Sequence, residues 1–268
     1  MTVSPGCITI QSGNEAANAV AMPGVGAPSV VAVDLGSACA RIWASRHGSV
    51  SAATSASFGM AGSLVRRGRI LDEQGCIALL SDLARRFPEP ITADGVVVAC
   101  RPVQATMTEQ YALRRVVTAV FAPSRLLLID SVRAAAIGTG AAAGVRLVVD
   151  VGAQLTEIAL LDHGRVTVAR RVDIGTRDVS LSAPVDLLAD IVARGVCDLR
   201  CSPGVDDLVS AALAGGMLLV GDGALRPGLS SRLAGALGIS VRCAESPRSA
   251  AVNGAGFAAM SVLRHPAI

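Results

Sequence analysis

Apolar residues along this chain fall into two recurring patterns: short runs of strand type and longer stretches of helical period. "SVVAVDLG" (29–36) is a nearly continuous apolar run of the buried-strand kind, "ARIWASR" (40–46) alternates, and "SVSAAT" (49–54) forms a third strand. The three read as a meander, with His47-Gly48 as its first tight turn. Helical periodicity follows over 76–86 and 108–121, with strands "GVVVAC" at 95–100 and "RLLLID" at 125–130. Strands alternating with helices predict an α/β sheet covered on both faces. Residues 1–29 are rich in Gly, Pro and Ala, lack any period and predict a flexible tail.

The strand pattern occurs twice. At an offset of 116, "VVAVDLGSACARIWASRHGSV" (30–50) superimposes on "RLVVDVGAQLTEIALLDHGRV" (146–166), matching Asp34 with Asp150, Gly36 with Gly152, Ile42 with Ile158 and His47-Gly48 with His163-Gly164. An Asp-x-Gly at a strand-to-strand turn puts a carboxylate at the strand end, and its glycine lets backbone amides approach an anion. Two such hairpins facing each other make a phosphate clamp, with Asp34 and Asp150 placed to hold a magnesium ion through its waters.

Composition removes alternatives. All 24 basic residues are arginine, so a P-loop lysine, a kinase-type lysine and a Schiff base are excluded. Seven cysteines without a C-x-x-C pair, beside three histidines, argue against structural zinc. A net charge of +3 and six aromatic residues offer neither a basic stripe nor a stacking platform for nucleic acid. The 51% hydrophobic content suits one large core or two modest ones, and no apolar run is long enough to span a bilayer. With no basic n-region at the N-terminus, the expected compartment is the cytoplasm.

The motifs and their order resemble the actin and heat-shock-chaperone ATPase superfamily, and within it the bacterial actins of the MreB/Mbl rod-shape-determining type. "AVDLGSACARIW" resembles the first phosphate motif, "GRILDEQGCIALLSDLARRF" and "GVVVACRPV" the helix and strand after it, and "RLLLIDSVRAAAIGTG" the connecting helix. "VVDVGAQLTEIALL" is similar to the second phosphate motif, "LLVGDGALRPGL" to the adenosine motif, and "VRCAESPRSAAVNGAGFAAM" to the C-terminal segment. The resemblance implies an α/β, actin-like ATPase fold of two duplicated RNase H-like lobes. Lobe I would cover 30–145 and lobe II 146–268, with the C-terminal helix returning towards lobe I. The first phosphate loop would be Asp34, Gly36, Ser37 and Ala38, the second Asp150, Gly152 and Thr156, and Gly221, Asp222 and Gly223 would lie against the adenosine. ATP and magnesium are the implied cofactors.

Departures from the family pattern qualify the chemistry. Ala153, Gln154 and Leu155 replace two glycines and a threonine of the second loop, and Ser131-Val132 stands where the family carries a water-orienting glutamate followed by proline. Asp130 lies one residue earlier, rotated by about 100° if helical. Positioning and electrostatics carry phosphoryl transfer, so hydrolysis should be weak or absent. The interval from Asp150 to Gly221 is 71 residues, and outer subdomains are expected to be reduced or missing, with no lid between Asp178 and Asp206. The resemblance implies a cytoskeletal protein of cell shape or cell-wall organisation. It would self-associate or co-assemble with full-length bacterial actins, with cell-wall synthesis proteins as further partners, at most peripheral to the inner face of the membrane. A small chaperone-like Mg-ATPase and a nucleotide-free scaffold are the other readings.

Overall fold

The computed structural model describes residues 30–54, 62–89, 91, 95–179 and 184–264, and the tail expected over 1–29 lies outside the described residues. Lobe I opens with the antiparallel strands β1 (Val30–Leu35), β2 (Cys39–Ala44) and β3 (Gly48–Ala53). A small hairpin of β4 (Val65–Arg66) and β5 (Arg69–Ile70) leads into α1 (Glu73–Ala84). Then come β6 (Val96–Arg101), α2 (Met107–Phe121), β7 (Arg125–Asp130) and α3 (Ser131–Gly138). Lobe II repeats the plan with β8 (Val145–Val151), β9 (Thr156–Asp162), β10 (Arg165–Val172), α4 (Pro184–Arg200), α5 (Asp206–Ala214) and β11 (Met217–Val220). A 3-10 turn over Asp222–Leu225, α6 (Leu229–Leu237), β12 (Val241–Cys243) and α7 (Ala250–Arg264) complete it.

The duplication holds at the level of topology. One sheet has the order β3-β2-β1-β6-β7 and the other β10-β9-β8-β11-β12. In each, the central strand pairs antiparallel with its hairpin partner and parallel with the strand on its other side. The apolar runs explain the placement: Val30, Val31, Ala32 and Val33 are all buried, because β1 has helices on both faces.

Three cores result. One lies between the first sheet and α1 and α2, and a second between the other sheet and α4, α5 and α6. The third joins the lobes, with α3 and α7 sandwiched between inward faces of both sheets, including Ala32 and Val98 from one and Val148 and Leu161 from the other. Small residues let α3 and α7 touch closely: a Cβ on Gly254 would collide with the Ala134 carbonyl, and one on Gly138 with the Ala250 carbonyl. The C-terminal helix thereby packs on β1, β2 and β6 of the first sheet. Trp43 is half-buried against this layer and meets Phe257 edge-on at 6.4 Å between ring centroids. Among the described residues, 178–206 hold α4, whose Leu188, Val192, Val196 and Leu199 are core of the second sheet, so this helix covers the sheet and does not roof the cleft.

The shared His-Gly positions make different turns. His163 and Gly164 both take left-handed backbone (φ 46 and 74) in a two-residue hairpin, whereas the first hairpin places Arg46 at φ 72 in a three-residue loop. His47 instead packs beside Phe87, at 6.0 Å between ring centroids.

Candidate functional site

The two hairpin turns close with the same hydrogen bond. Gly36 N donates to Cys39 O at 3.1 Å, and Gly152 N donates to Leu155 O at 2.8 Å, again offset by 116. Just below the turns, strand register sets Asp34 opposite Arg41 and Asp150 opposite Glu157. Here the copies diverge. The first acid faces a guanidinium, with Arg41 3.5 Å from Asp34, while the second faces another acid.

That asymmetry governs the electrostatics. Although 19% of the Asp34 side chain is open to the cleft, it lies deep in the protein, and burial raises its pKa against the opposing pull of Arg41. Asp150 is pushed up to about 7 by burial and then by the charges of Asp34 and Asp222. Glu157 is held well above the usual carboxylate range by burial and then by Asp150, although Val103 N donates to its Oε1 at 2.8 Å across the lobe boundary. The buried Cys100 thiol is raised for the same reasons, burial first. Arg41 pairs with Asp34 and Arg248 reaches Asp222 at 2.6 Å, whereas among the described residues Asp150 and Glu157 form no ion pair.

The structure gathers most of the sequence-predicted residues at one cleft. Asp34, Gly36, Ser37 and Ala38 line one wall, Asp150 and Gly152 the other, and Gly221 and Asp222 the far side, with Ser131 on the floor. Gly221 has φ 79, and a Cβ there would collide with the Asp150 carboxylate, so only glycine brings this turn against the second hairpin. Two predicted residues do not line this cleft. Thr156 is fully buried, its hydroxyl donating to Ile174 O at 2.8 Å, and Gly223 is buried beside Val151 and Leu229. Arg41, Glu157, Arg177 and Arg248 line the cleft without having been singled out by the sequence. Arg41 and Glu157 carried a usable signal, since each sits seven residues after its Asp, on the partner strand of the same hairpin.

At the head of α3, Ser131 Oγ donates to Arg101 O at 3.0 Å, and Asp130 lies 3.1 Å from Arg101 Nε. Burial raises Asp130 against the pull of Arg101 and Arg133. Neither residue offers a free carboxylate to orient a water.

The cleft has two chambers. Leu155, 9% exposed, abuts Gly68 of the β4–β5 turn and narrows the inner chamber, beneath the hairpins, to about 110 Å³. Small-molecule sites usually offer about 300–1,000 Å³. The outer chamber, between β3, the 3-10 turn and the 245–249 segment, reaches about 480 Å³. Among the described residues no group of three or more His, Cys, Asp and Glu side chains converges to hold a metal.

An arginine clasp closes the lobes beside the inner chamber. Arg171 of β10 donates to both carboxylate oxygens of Glu109 at 3.2 and 3.1 Å and to Arg67 O at 2.7 Å. Arg69 reaches the same carboxylate at 3.1 Å, and Arg67 reaches Asp178 at 3.4 Å. Glu109 also completes the capping box of α2 with Thr106. Burial works to raise its pKa, but the Arg171 and Thr106 hydrogen bonds bring it below the ordinary value.

The MreB/Mbl protein family profile matches residues 60–183. MreB5 of Spiroplasma citri bound to AMPPNP is similar in structure, with a TM-score of 0.76 at 14% identity over 91% of this chain and 99% of that one. The MamK double helical filament gives 0.67 at 13% identity over 87% of this chain and 99% of that one. EutJ, an ethanolamine utilization protein of Carboxydothermus hydrogenoformans, gives 0.60 at 20% identity over 88% and 90%. No curated protein matches the chain by sequence. Residues 60–183 thus match the MreB/Mbl family, and the duplicated hairpins and shared architecture show that the chain has the actin-like ATPase fold.

Proposed function

We propose that this protein is a cytoskeletal element that binds an adenine nucleotide between its lobes, assembles with copies of itself and hydrolyses the nucleotide weakly or not at all. The observation that carries the reading is the meeting of both Asp-x-Gly hairpins and the Gly221-Asp222 turn at one cleft. Relatives in structure support it: MreB5 has been solved with AMPPNP and with ADP, and MamK as a double helical filament. The hairpins carry the amides for phosphate, and Gly221, Asp222 and the adjoining Gly223 turn supply the adenosine side. Asp34 and Asp150 are the residues for a hydrated magnesium ion.

Weak hydrolysis follows from what occupies the reaction end. Ser131 replaces the water-orienting carboxylate, Asp130 is ion-paired to Arg101, and Leu155 fills space beside the second loop. A positioned base contributes roughly 10²–10⁴ in rate, and that contribution has no group to supply it. For the same reason a chaperone-like Mg-ATPase is the weaker alternative. A nucleotide-free scaffold is favoured by one observation, the small inner chamber behind the closed clasp.

A role in cell shape or cell-wall organisation, co-assembly with full-length bacterial actins, contacts with cell-wall synthesis proteins and a place at the inner face of the membrane belong to the same reading. Among the described residues no helix is long and apolar enough to cross a membrane. The test is sedimentation and electron microscopy of the purified protein with ATP, AMPPNP or no nucleotide. Nucleotide-promoted filaments are expected. Assembly indifferent to nucleotide favours the scaffold, and a protein that stays monomeric at high concentration in all three conditions overturns the cytoskeletal reading.

A further inference from the structure

The outer chamber carries a chemistry that the duplicated hairpins do not explain. In the inner chamber four carboxyl groups, Asp34, Asp150, Glu157 and Asp222, stand against Arg41 and Arg248. In the outer chamber the balance reverses, with Arg41, Arg177 and Arg248 against Asp222 and Glu245, and serine hydroxyls as neutral donors. Each arginine comes from a different part of the fold. Arg41 rises from the first hairpin, Arg248 precedes α7, and Arg177 is fixed to the second hairpin through its backbone N–H, which donates to Ala153 O at 2.8 Å. Arg177 is exposed and, among the described residues, makes no ion pair of its own.

Guanidinium groups match phosphate oxygens in a bidentate manner and stay charged at any working pH. A phosphate chain pushed into the inner chamber meets instead a cluster of acids in about 110 Å³. The outer chamber, at about 480 Å³, is of the size that ligand sites have. We infer that a polyphosphate chain binds in this outer chamber, gripped by Arg41, Arg177 and Arg248, which neutralise its charge in place of a divalent cation. Binding therefore does not require magnesium. This rests on the nucleotide reading above for the compound that carries the phosphates, and moves their seat from the hairpin amides and the Asp34–Asp150 magnesium position to the three arginines.

Calorimetry with two probes, ATP and inorganic tripolyphosphate, tests it, each titrated with magnesium and with excess EDTA. Both are expected to bind with affinities that differ less than about threefold between the two conditions and fall as salt rises. Arg177→Ser and Arg248→Ser should each weaken both probes roughly ten- to a hundredfold, the range for hydrogen bonds to charged groups. Arg177→Lys should recover part of the loss through charge alone. Arg177 is exposed, so its variants should melt with the wild type, which separates a binding defect from a folding one. ATP binding abolished by EDTA and unmoved by the arginine changes overturns this inference and leaves the nucleotide reading standing. Tripolyphosphate binding without ATP binding does the reverse, and no binding of either probe overturns both.

Discussion

Replacing Asp150 by asparagine should make the protein more stable at pH 8. Asp150 lies opposite Glu157 in the sheet and feels Asp34 and Asp222, with only Arg41 pulling the other way. Its pKa moves from 3.8 to about 7, and at about 1.4 kcal/mol per pH unit that interval amounts to about 4 kcal/mol. The sign follows from the direction. A raised acid favours the folded state fully below pH 3.8, and the advantage is lost as pH rises through about 7. Because Asp150 is half-buried rather than sealed, roughly 2–4 kcal/mol of that penalty should be recoverable by Asn. The amide can donate to the Glu157 carboxylate across the register. At roughly 2–4 °C per kcal/mol in a chain of this size, Asp150→Asn should melt about 5–15 °C above wild type at pH 8 and within a few degrees of it at pH 4. Differential scanning calorimetry from pH 4 to 8 measures this. A wild-type melting temperature flat across that window, with no gain from Asn at pH 8, refutes the reasoning that an acid pair sits uncompensated beneath the second hairpin.

Three further outcomes are expected. Glu109→Ala removes the hub of the clasp and leaves Arg171, whose side chain is only 9% exposed, with Asp173 at 3.5 Å and the Arg67 carbonyl as its partners; urea unfolding should show a loss on the order of 2 kcal/mol, and a loss below about 0.5 kcal/mol would mean the clasp is ornamental. Gly221→Ala drives a Cβ into the Asp150 carboxylate at a positive φ; it should cost about 2 kcal/mol or more and abolish nucleotide binding in calorimetry, whereas an unchanged affinity would detach that turn from the site. Ser131→Glu restores a carboxylate at the head of α3 and should raise phosphate release about tenfold or more; a wild-type rate already brisk would remove Ser131 as the reason for slow hydrolysis.

The repeat was legible because strand alternation and an Asp-x-Gly turn are local properties, and the structure reproduces both turns down to the Gly36 and Gly152 hydrogen bonds. Helices α1 and α2 were also legible, within three residues at either end, because each buries one periodic face. What escaped were pairings between distant segments. Arg171 meets Glu109 across 62 residues and Arg67 meets Asp178 across 111, and no local period marks either. The outer chamber joins the first hairpin and β3, Arg177, the 3-10 turn and the approach to α7, stretches that only the fold brings together. Thr156 misled for a different reason. A hydroxyl in the right place in sequence was claimed by the Ile174 carbonyl, because a buried hydroxyl takes the partner that strand pairing offers.

The central claim is an actin-like core that assembles with nucleotide held in its cleft and leaves it intact. The most direct measurement is the identity of nucleotide extracted from pelleted polymer after incubation with ATP. The account predicts about one nucleotide per protomer, recovered as ATP. Polymer that yields ADP, or polymer that yields no nucleotide, contradicts it.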